Sequence, residues 1–541
     1  MFGPSLANQA RNAVDLRVWN DDTRQVLPAL DRLAGIGPGG ADVLAEYELA
    51  LLPSLYRLGM RAAGWVVEPL WVTRLLPLCL LALLLFAVTR VAHRLGGLWS
   101  AGLTVGFTLS THAFLLRLGG GLPRSFAFPC VALGLWFLVA GRVLALAVLT
   151  VVAAGLYPVA GALLGLALAA LLFVVPREDR GVAAGWSTRR RIAWLLATGG
   201  VALAVLLPML AATRAWGPPI GPDDLAAFPE AGPGGRYDAL DGMPFRDLMT
   251  EAAVQWRAGL LGDGLALIPA LREAGAAHGA ALAWLAVVIT AAGWIVLAAR
   301  RAEARRALAL PAAAVTGFCL AWLCAPWLFV PQRYLAYTLP LLLVAFLPAG
   351  AAALGAACAR RWTPWGAALG ALFFGGGMLA LTGGRGSDVA GYAVYVPPET
   401  GLYRAVAALP ADALVAGFPD GPIDNVPLLA RRRALLTSEM HQAFHVRYVL
   451  EMRRRMARLL PALFGPEYAA LARLRDELGV THLLVDTAHF AQPPRYFVPF
   501  GPQIELAWKE GQARGFAAER AMRRATIFSE GTLVLIDLAR L

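Results

Sequence analysis

Hydrophobic positions in this chain fall into long uninterrupted runs from residue 72 to residue 383, with alternating or 3.6-periodic patterns only at either end. Apolar spans lie at about 72–91, 97–116, 124–141, 143–154, 155–175, 192–213, 279–299, 307–330, 334–357 and 364–383. Most approach the ~20 residues an α-helix needs to cross a bilayer's hydrocarbon. The run from Val143 to Val175 is too long for one crossing. Gly155-Leu156-Tyr157-Pro158 interrupts it, which predicts two short helices meeting near one membrane surface. After Gly384 the pattern changes: short β-rich runs at 413–417, 433–437, 481–486 and 532–537 alternate with helical stretches at about 400–409, 439–460 and 466–478. Gly479 is placed to stop the last of these. Buried strands alternating with helices predict a small α/β domain on a mostly parallel sheet. The first 71 residues contain no span. Leu44, Tyr47, Leu51, Leu55 and Leu58 recur at steps of three and four, with Glu46, Glu48, Arg57 and Arg61 elsewhere, which predicts an amphipathic helix bent at Pro53. Such a helix either lies in the membrane interface or packs against its own bundle.

Composition supports this division. Of 541 residues, 58% are hydrophobic and 16% charged, and the mean hydropathy is +0.59. That is too apolar for a soluble protein of this size and predicts a polytopic α-helical membrane protein of about ten spans with a C-terminal α/β domain. The net charge of +12 would suggest a nucleic-acid partner if it were spread over a soluble surface. It is concentrated instead in alternate loops, at Arg90, Arg94, Arg142, Arg177, Arg180, Arg189, Arg190, Arg191, Arg300, Arg301, Arg305, Arg306, Arg360 and Arg361, against Glu178, Asp179 and Glu303. This positive-inside pattern makes those loops cytoplasmic and implies a lipid bilayer, not a polyanion, as the partner. It places residues 1–71, the loop 214–278 and everything from 384 to 541 on the other side. A first loop of that length needs something to start its translocation, so the pattern also predicts a further transmembrane helix upstream of Met1. All five cysteines fall in or beside apolar spans, so no disulfide framework supports the aqueous parts.

Candidate chemistry is sparse. The 214–278 loop carries Asp223, Asp224, Glu230, Asp238, Asp241, Asp247 and Glu251, scattered as solvated carboxylates usually are. His441 and His445 stand four apart on the expected 439–460 helix but lack a third metal ligand, and read as surface or interdomain histidines. The run Arg453-Arg454-Arg455-Arg458 reads as a solvated face. Arg117 and Arg124 flank Gly119-Gly120-Gly121, and Arg333 lies in Pro331-Gln332-Arg333-Tyr334, at expected outer membrane ends. A cation at that depth pairs or binds an anion, and a guanidinium suits phosphate. Arg117 reads rather as snorkelling to headgroups. Asn20-Asp21-Asp22-Thr23-Arg24-Gln25 sets two carboxylates beside the amphipathic segment. Such a pair can serve as a general base or hold a hard cation such as Mg or Mn, and Asn-Asp-Asp is equally a good turn or helix cap.

The acidic pair in the first loop, the amphipathic segment, the spans and the C-terminal domain together resemble the C-type, polyprenyl-phosphosugar-dependent membrane glycosyltransferases. Asn20-Asp21-Asp22-Thr23-Arg24-Gln25, Leu122-Pro123-Arg124-Ser125-Phe126 and Pro331-Gln332-Arg333-Tyr334 also resemble stretches of uncharacterised bacterial members. The resemblance implies transfer of a sugar from a polyprenyl-phosphate carrier to an acceptor outside the bacterial cytoplasmic membrane. It implies Asp21 or Asp22 as base or metal ligand, and Arg333, with Arg124 and Arg24, as contacts to the donor phosphate. No Trp-Trp-Asp signature of oligosaccharyltransferases occurs. Two readings from other classes stand beside it: a lipid or polysaccharide transporter or flippase, which needs ionisable groups within the bundle, and a non-catalytic subunit of a cell-envelope complex.

Overall fold

A computed structural model describes residues 3–20, 22–232, 234–236, 287–324, 331–358, 394–395 and 400–541. The expected span at 364–383, Asp21, and most of the acidic loop after residue 236 lie outside them.

Three layers follow the chain. The N-terminal layer comprises helix α1 (Gly3–Val14), strand β1 (Val18–Trp19), and helices α2 (Thr23–Leu33), α3 (Val43–Leu51) and α4 (Ser54–Gly64). The apolar layer contains α5 (Pro69–Ser110), α6 (His112–Leu118), α7 (Ala127–Ala140), α8 (Val143–Leu156), α9 (Pro158–Phe173) and α10 (Thr188–Thr213), then helices Val287–Arg300, Ala309–Leu323 and Leu339–Cys358. Among the described residues, five helical stretches are long and apolar enough to cross a membrane: Pro69–Leu109, Pro123–Ala140, Thr188–Trp216, Ala302–Leu323 and Gln332–Ala357. Val143–Leu156, Pro158–Phe173 and Val287–Arg300 are apolar but shorter. The expected span at 72–91 and most of that at 97–116 are two arms of α5, bent where Gly97 takes φ +77°, a conformation that a side chain would strain; the rest of the second lies in α6, beyond an extended Thr111. The break near Pro158 is where the pattern put it: Tyr157 is extended, Pro158 opens α9, and α8 and α9 fold back on each other with Gly165 against Thr150.

The amphipathic segment is two helices, not one bent helix, because Leu52 and Pro53 take extended conformations between α3 and α4. Its expected stripe is also divided. Leu44 and Tyr47 are buried in the core of the C-terminal domain, whereas Leu58 is 62% exposed. Tyr47 stacks on Tyr448 at 3.5 Å between ring centroids. This segment therefore packs against protein on its α3 side.

The C-terminal domain is a five-stranded sheet in the order β4 (Arg433–Ala434), β3 (Leu414–Ala416), β5 (His482–Asp486), β7 (Leu533–Asp537), β6 (Thr526–Glu530). Strands β4, β3 and β5 are parallel, while β7 and β6 run antiparallel. The sheet is thus mixed, and β6, half exposed and carrying Thr526, Ser529 and Glu530, lacks the apolar run that revealed the other strands. Helix Val446–Phe464 starts seven residues later than expected, so His441 and His445 do not share a helical face. Residues 435–445 run irregularly under the sheet's edge, with His441 2% exposed. A small sheet of β1 with β2 (Val394–Tyr395) links the N-terminal layer to the chain ahead of this domain.

Candidate functional site

Asp22 stands at the start of α2, where its backbone carbonyl accepts the first helical bonds from Gln25 and Val26. Its side chain caps nothing. The carboxylate instead forms an ion pair with Arg124, both side chains being largely buried at 25% and 19% exposure. The capping alternative raised by the sequence is therefore not how this carboxylate is used.

Arg124 is delivered by a loop that must be glycine. Gly120 and Gly121 have φ of +78° and +60°, and a Cβ on Gly120 would lie 2.8 Å from Thr23 Oγ1 and 3.0 Å from Asn20 Oδ1. The loop thus rests on Asn20 and Thr23, 3% and 2% exposed, on either side of the acidic pair. Tyr56 from α4 donates its hydroxyl to the Gly121 carbonyl at 3.0 Å. Ser125 accepts from the Leu122 amide at 3.0 Å and donates to the Gly119 carbonyl at 3.2 Å, closing the turn that carries Arg124. Val26, Leu30, Tyr56, Met60 and Leu122 form one apolar cluster beneath these contacts.

Glu48 on α3 is the residue that the sequence reading missed. It is 5% exposed, and Gln25 donates to its Oε2 at 2.8 Å. Burial pushes its carboxyl from the ordinary 4.5 up to about 7, offset by the Gln25 bond and reinforced by the nearby Asp22 charge. A signal was present. In Val43-Leu44-Ala45-Glu46-Tyr47-Glu48-Leu49-Ala50-Leu51 seven of nine residues are apolar or aromatic, so the helix has no wide polar face to which Glu48 could be assigned.

The C-terminal domain closes over the same place. Arg24 donates to Glu439 Oε1 at 3.2 Å and lies 3.9 Å from Asp424 Oδ2, while Arg236 reaches Glu439 Oε2 at 3.5 Å. Asp424, 2% exposed, accepts from the Ser438 amide at 2.6 Å, the Ser438 hydroxyl at 2.7 Å and the Glu439 amide at 3.3 Å. Burial raises its carboxyl to about 6, against the opposing pull of Ser438 and Arg24. Burial, with Arg236 adding to it, lowers His441 to about 3, so its ring is neutral and shares Nδ1 with the Tyr496 hydroxyl at 3.1 Å. The loop carboxylates are not all solvated either. Glu230 is buried and takes Arg453 at 2.5 and 2.7 Å, and Arg455 turns inward to the Leu435 carbonyl, which corrects the solvated-face reading of that run.

Of the residues singled out by sequence, Asp22 and Arg124 come together, and Arg24 is turned toward Glu439 and Asp424. Arg333 donates to the Tyr157 hydroxyl at 3.0 Å at the α8–α9 turn. Leu156 packs with Leu122, Tyr56 and Phe126, so that turn stands at the same end of the bundle as Arg124. Asp21 lies outside the described residues. Among those residues no three His, Cys, Asp or Glu side chains gather in a way that would hold a metal ion.

No family model and no curated protein matches the chain. Solved structures do. The oligosaccharyltransferase of Archaeoglobus fulgidus, crystallised with zinc and sulfate, is 13% identical and aligns over 90% of this chain and 68% of its own, with a TM-score of 0.46. The oligosaccharyltransferase AglB of the same organism, in complex with an inhibitory peptide and a dolichol-phosphate, gives 13%, 90%, 70% and 0.46 for the same measures. ArnT from Cupriavidus metallidurans bound to undecaprenyl phosphate is 16% identical over 99% of this chain and 96% of its own, with a TM-score of 0.44.

Proposed function

We propose that this protein is a membrane glycosyltransferase that moves a sugar from a polyprenyl-phosphate carrier to an acceptor hydroxyl on the extracytoplasmic side of a bacterial cytoplasmic membrane. The observation that carries the proposal is the ion pair of Asp22 with Arg124, backed by buried Glu48, at the junction of an apolar bundle and a polar domain. The lipid tail of a donor needs the first surface and a water-soluble acceptor needs the second.

In the ground state Asp22 and Arg124 neutralise each other. A donor phosphate takes over the guanidinium, which binds phosphate as readily as carboxylate, and Asp22 is released as a base. It accepts the acceptor's hydroxyl proton as that oxygen forms a bond to the anomeric carbon. The bond from this carbon to the phosphate oxygen breaks, and the charge developing on the polyprenyl phosphate is held by Arg124, with Arg333 at the same end of the bundle. Glu48, ionised above about pH 7, adds a negative charge behind Asp22. Arg24 ties the loop to Glu439 of the C-terminal domain.

Purified protein should consume polyprenyl-phosphate-linked sugars, and Asp22→Asn should lose ~10²–10⁴ in kcat, the usual span of a general base, while remaining folded. Undiminished turnover by Asp22→Asn would remove the proposal, and no turnover of any donor in a broad panel would favour the transporter or subunit readings.

A further inference from the structure

Arg74 is a cation in the first turns of an apolar helix, and it is 2% exposed. A buried charge at such a place is costly unless its donors are satisfied. Four of its contacts are main-chain carbonyls of one short segment. Nη1 donates to Asn12, Ala13 and Asp15 at 3.3, 3.2 and 2.8 Å, and Nη2 donates to Val18 at 2.9 Å. The guanidinium also lies 4.3 Å from the ring centroid of Trp19, in cation–π contact. The first two carbonyls belong to the last turn of α1, whose unpaired C=O groups and negative dipole end favour a cation. The last is in β1. One side chain therefore fixes the end of α1, the turn after it and the strand that runs directly into Asn20 and Asp22.

The neighbouring residue holds the opposite half of the site. A Cβ on Gly121 would lie 2.9 Å from Thr73 Cα and 3.0 Å from its carbonyl oxygen, so the glycine loop sits on the backbone of α5 at residue 73. Gly121 is three residues from Arg124. The carboxylate and the guanidinium thus arrive on separate segments that are referenced to two consecutive residues of one transmembrane helix.

We propose that Arg74 is a positioning residue that sets the approach of Asp22 to Arg124, and through it the geometry of the transfer. This rests on the reading of Asp22 as the base. Lysine cannot replace the arginine: an ammonium is a compact point charge with three donors and no planar fork, and cannot span carbonyls from residue 12 to residue 18 while lying flat on Trp19. A displacement of the base by about 1 Å costs on the order of 10²-fold in rate.

The test compares wild type, Arg74→Lys, Trp19→Leu and Asp22→Asn as full-length protein in lipid nanodiscs. Turnover uses a panel of undecaprenyl-phosphate-linked sugars, and amide hydrogen exchange reads the segments 12–23 and 119–124. Arg74→Lys should lower kcat 10- to 100-fold with the donor KM within threefold, and should speed exchange across 12–23 while α8 and α9 stay protected. Trp19→Leu, which removes the ring under the guanidinium and keeps an apolar side chain against Leu27 and Leu428, should do the same to a smaller degree, and it decides the matter if Arg74→Lys does not fold. Wild-type kcat in Arg74→Lys, or a lost kcat with exchange in 12–23 unchanged, overturns the positioning role. Full turnover by Asp22→Asn would instead sink the catalytic reading, and the exchange comparison would still decide whether Arg74 holds the segment.

Discussion

Replacing Glu48 by Gln should make the protein more stable and less active, and the stability gain should depend on pH. The carboxyl is 5% exposed, and burial lifts it from 4.5 to about 7. Because its proton is held more tightly in the folded chain, the folded state is favoured fully below pH 4.5 and loses that advantage as pH rises through 7. At ~1.4 kcal/mol for each tenfold change in proton affinity, the cost of the buried charge above pH 7 is about 3 kcal/mol. Gln has the same shape, can still accept from the Gln25 amide, and never ionises. Unfolding midpoints of wild type and Glu48→Gln should therefore coincide near pH 4.5 and diverge by pH 8, the variant being the more stable. Activity should move the other way. Glu48 is the group beside Asp22 that ionises near pH 7, so in the Gln variant the rise of kcat with pH through about 7 should disappear and kcat at pH 8 should fall roughly 10-fold. A stability difference that is the same at pH 5 and pH 8 would refute the burial argument. An unchanged pH profile of kcat would refute the coupling to Asp22.

Two further outcomes follow from the same geometry. Gly120→Ala places a Cβ 2.8 Å from Thr23 Oγ1 at φ +78°, so the loop must move away from α2; kcat should fall at least tenfold with little change in melting temperature, measured on the same preparation. Arg431 joins the C-terminal domain to Asp31, which is 3% exposed with its carboxyl raised to about 6 by burial, and to Glu68 at the head of α5. Arg431→Met leaves both carboxylates unpaired. Since the guanidinium is 40% exposed, the loss should be only about 1–2 kcal/mol at pH 8. It should shrink as Asp31 protonates below pH 6, and denaturant titrations at the two pH values would show it.

The membrane part was legible because a bilayer imposes a rule that sequence obeys locally. A run of apolar residues and a Gly or Pro where a helix must stop are each visible without knowing what packs on what. Gly155 to Pro158 is the best case, since Pro158 could only begin a helix. The α/β domain was half legible. Strands β3, β5 and β7 are buried on both faces and spell short apolar runs, but β6 at the edge does not, and the antiparallel return of β7 and β6 depends on connections that no single strand records. The 439–460 region misled because its residues have helical patterning while Asp424, fourteen residues from Ser438, holds the backbone amides of Ser438 and Glu439 in a non-helical path. At the site, Asp22 and Arg124 could be named but not paired. Their meeting depends on three separate segments packing at Gly120, Gly121 and Thr73. Glu48 was hidden for a related reason: its burial depends on what packs against α3, with α2 bringing Gln25 to its carboxylate, and not on α3 alone.

That covering domain also answers why the N-terminal loop takes one shape. Below, Thr73 and Arg74 fix the two segments that carry the ion pair. Above, Arg24, two residues from Asp22, is held by Glu439, which Arg236 also grips, and Asp424 anchors the amides on which Glu439 stands. Tyr47, one residue from Glu48, is stacked on Tyr448 in the same domain. Both carboxylates of the site are thus fixed within two residues of a contact to the C-terminal domain. Without that domain Arg24 would lose Glu439 and Tyr47 would lose Tyr448. The placement of Asp22 and Glu48 therefore depends on the C-terminal domain being seated on Arg24 and Tyr47.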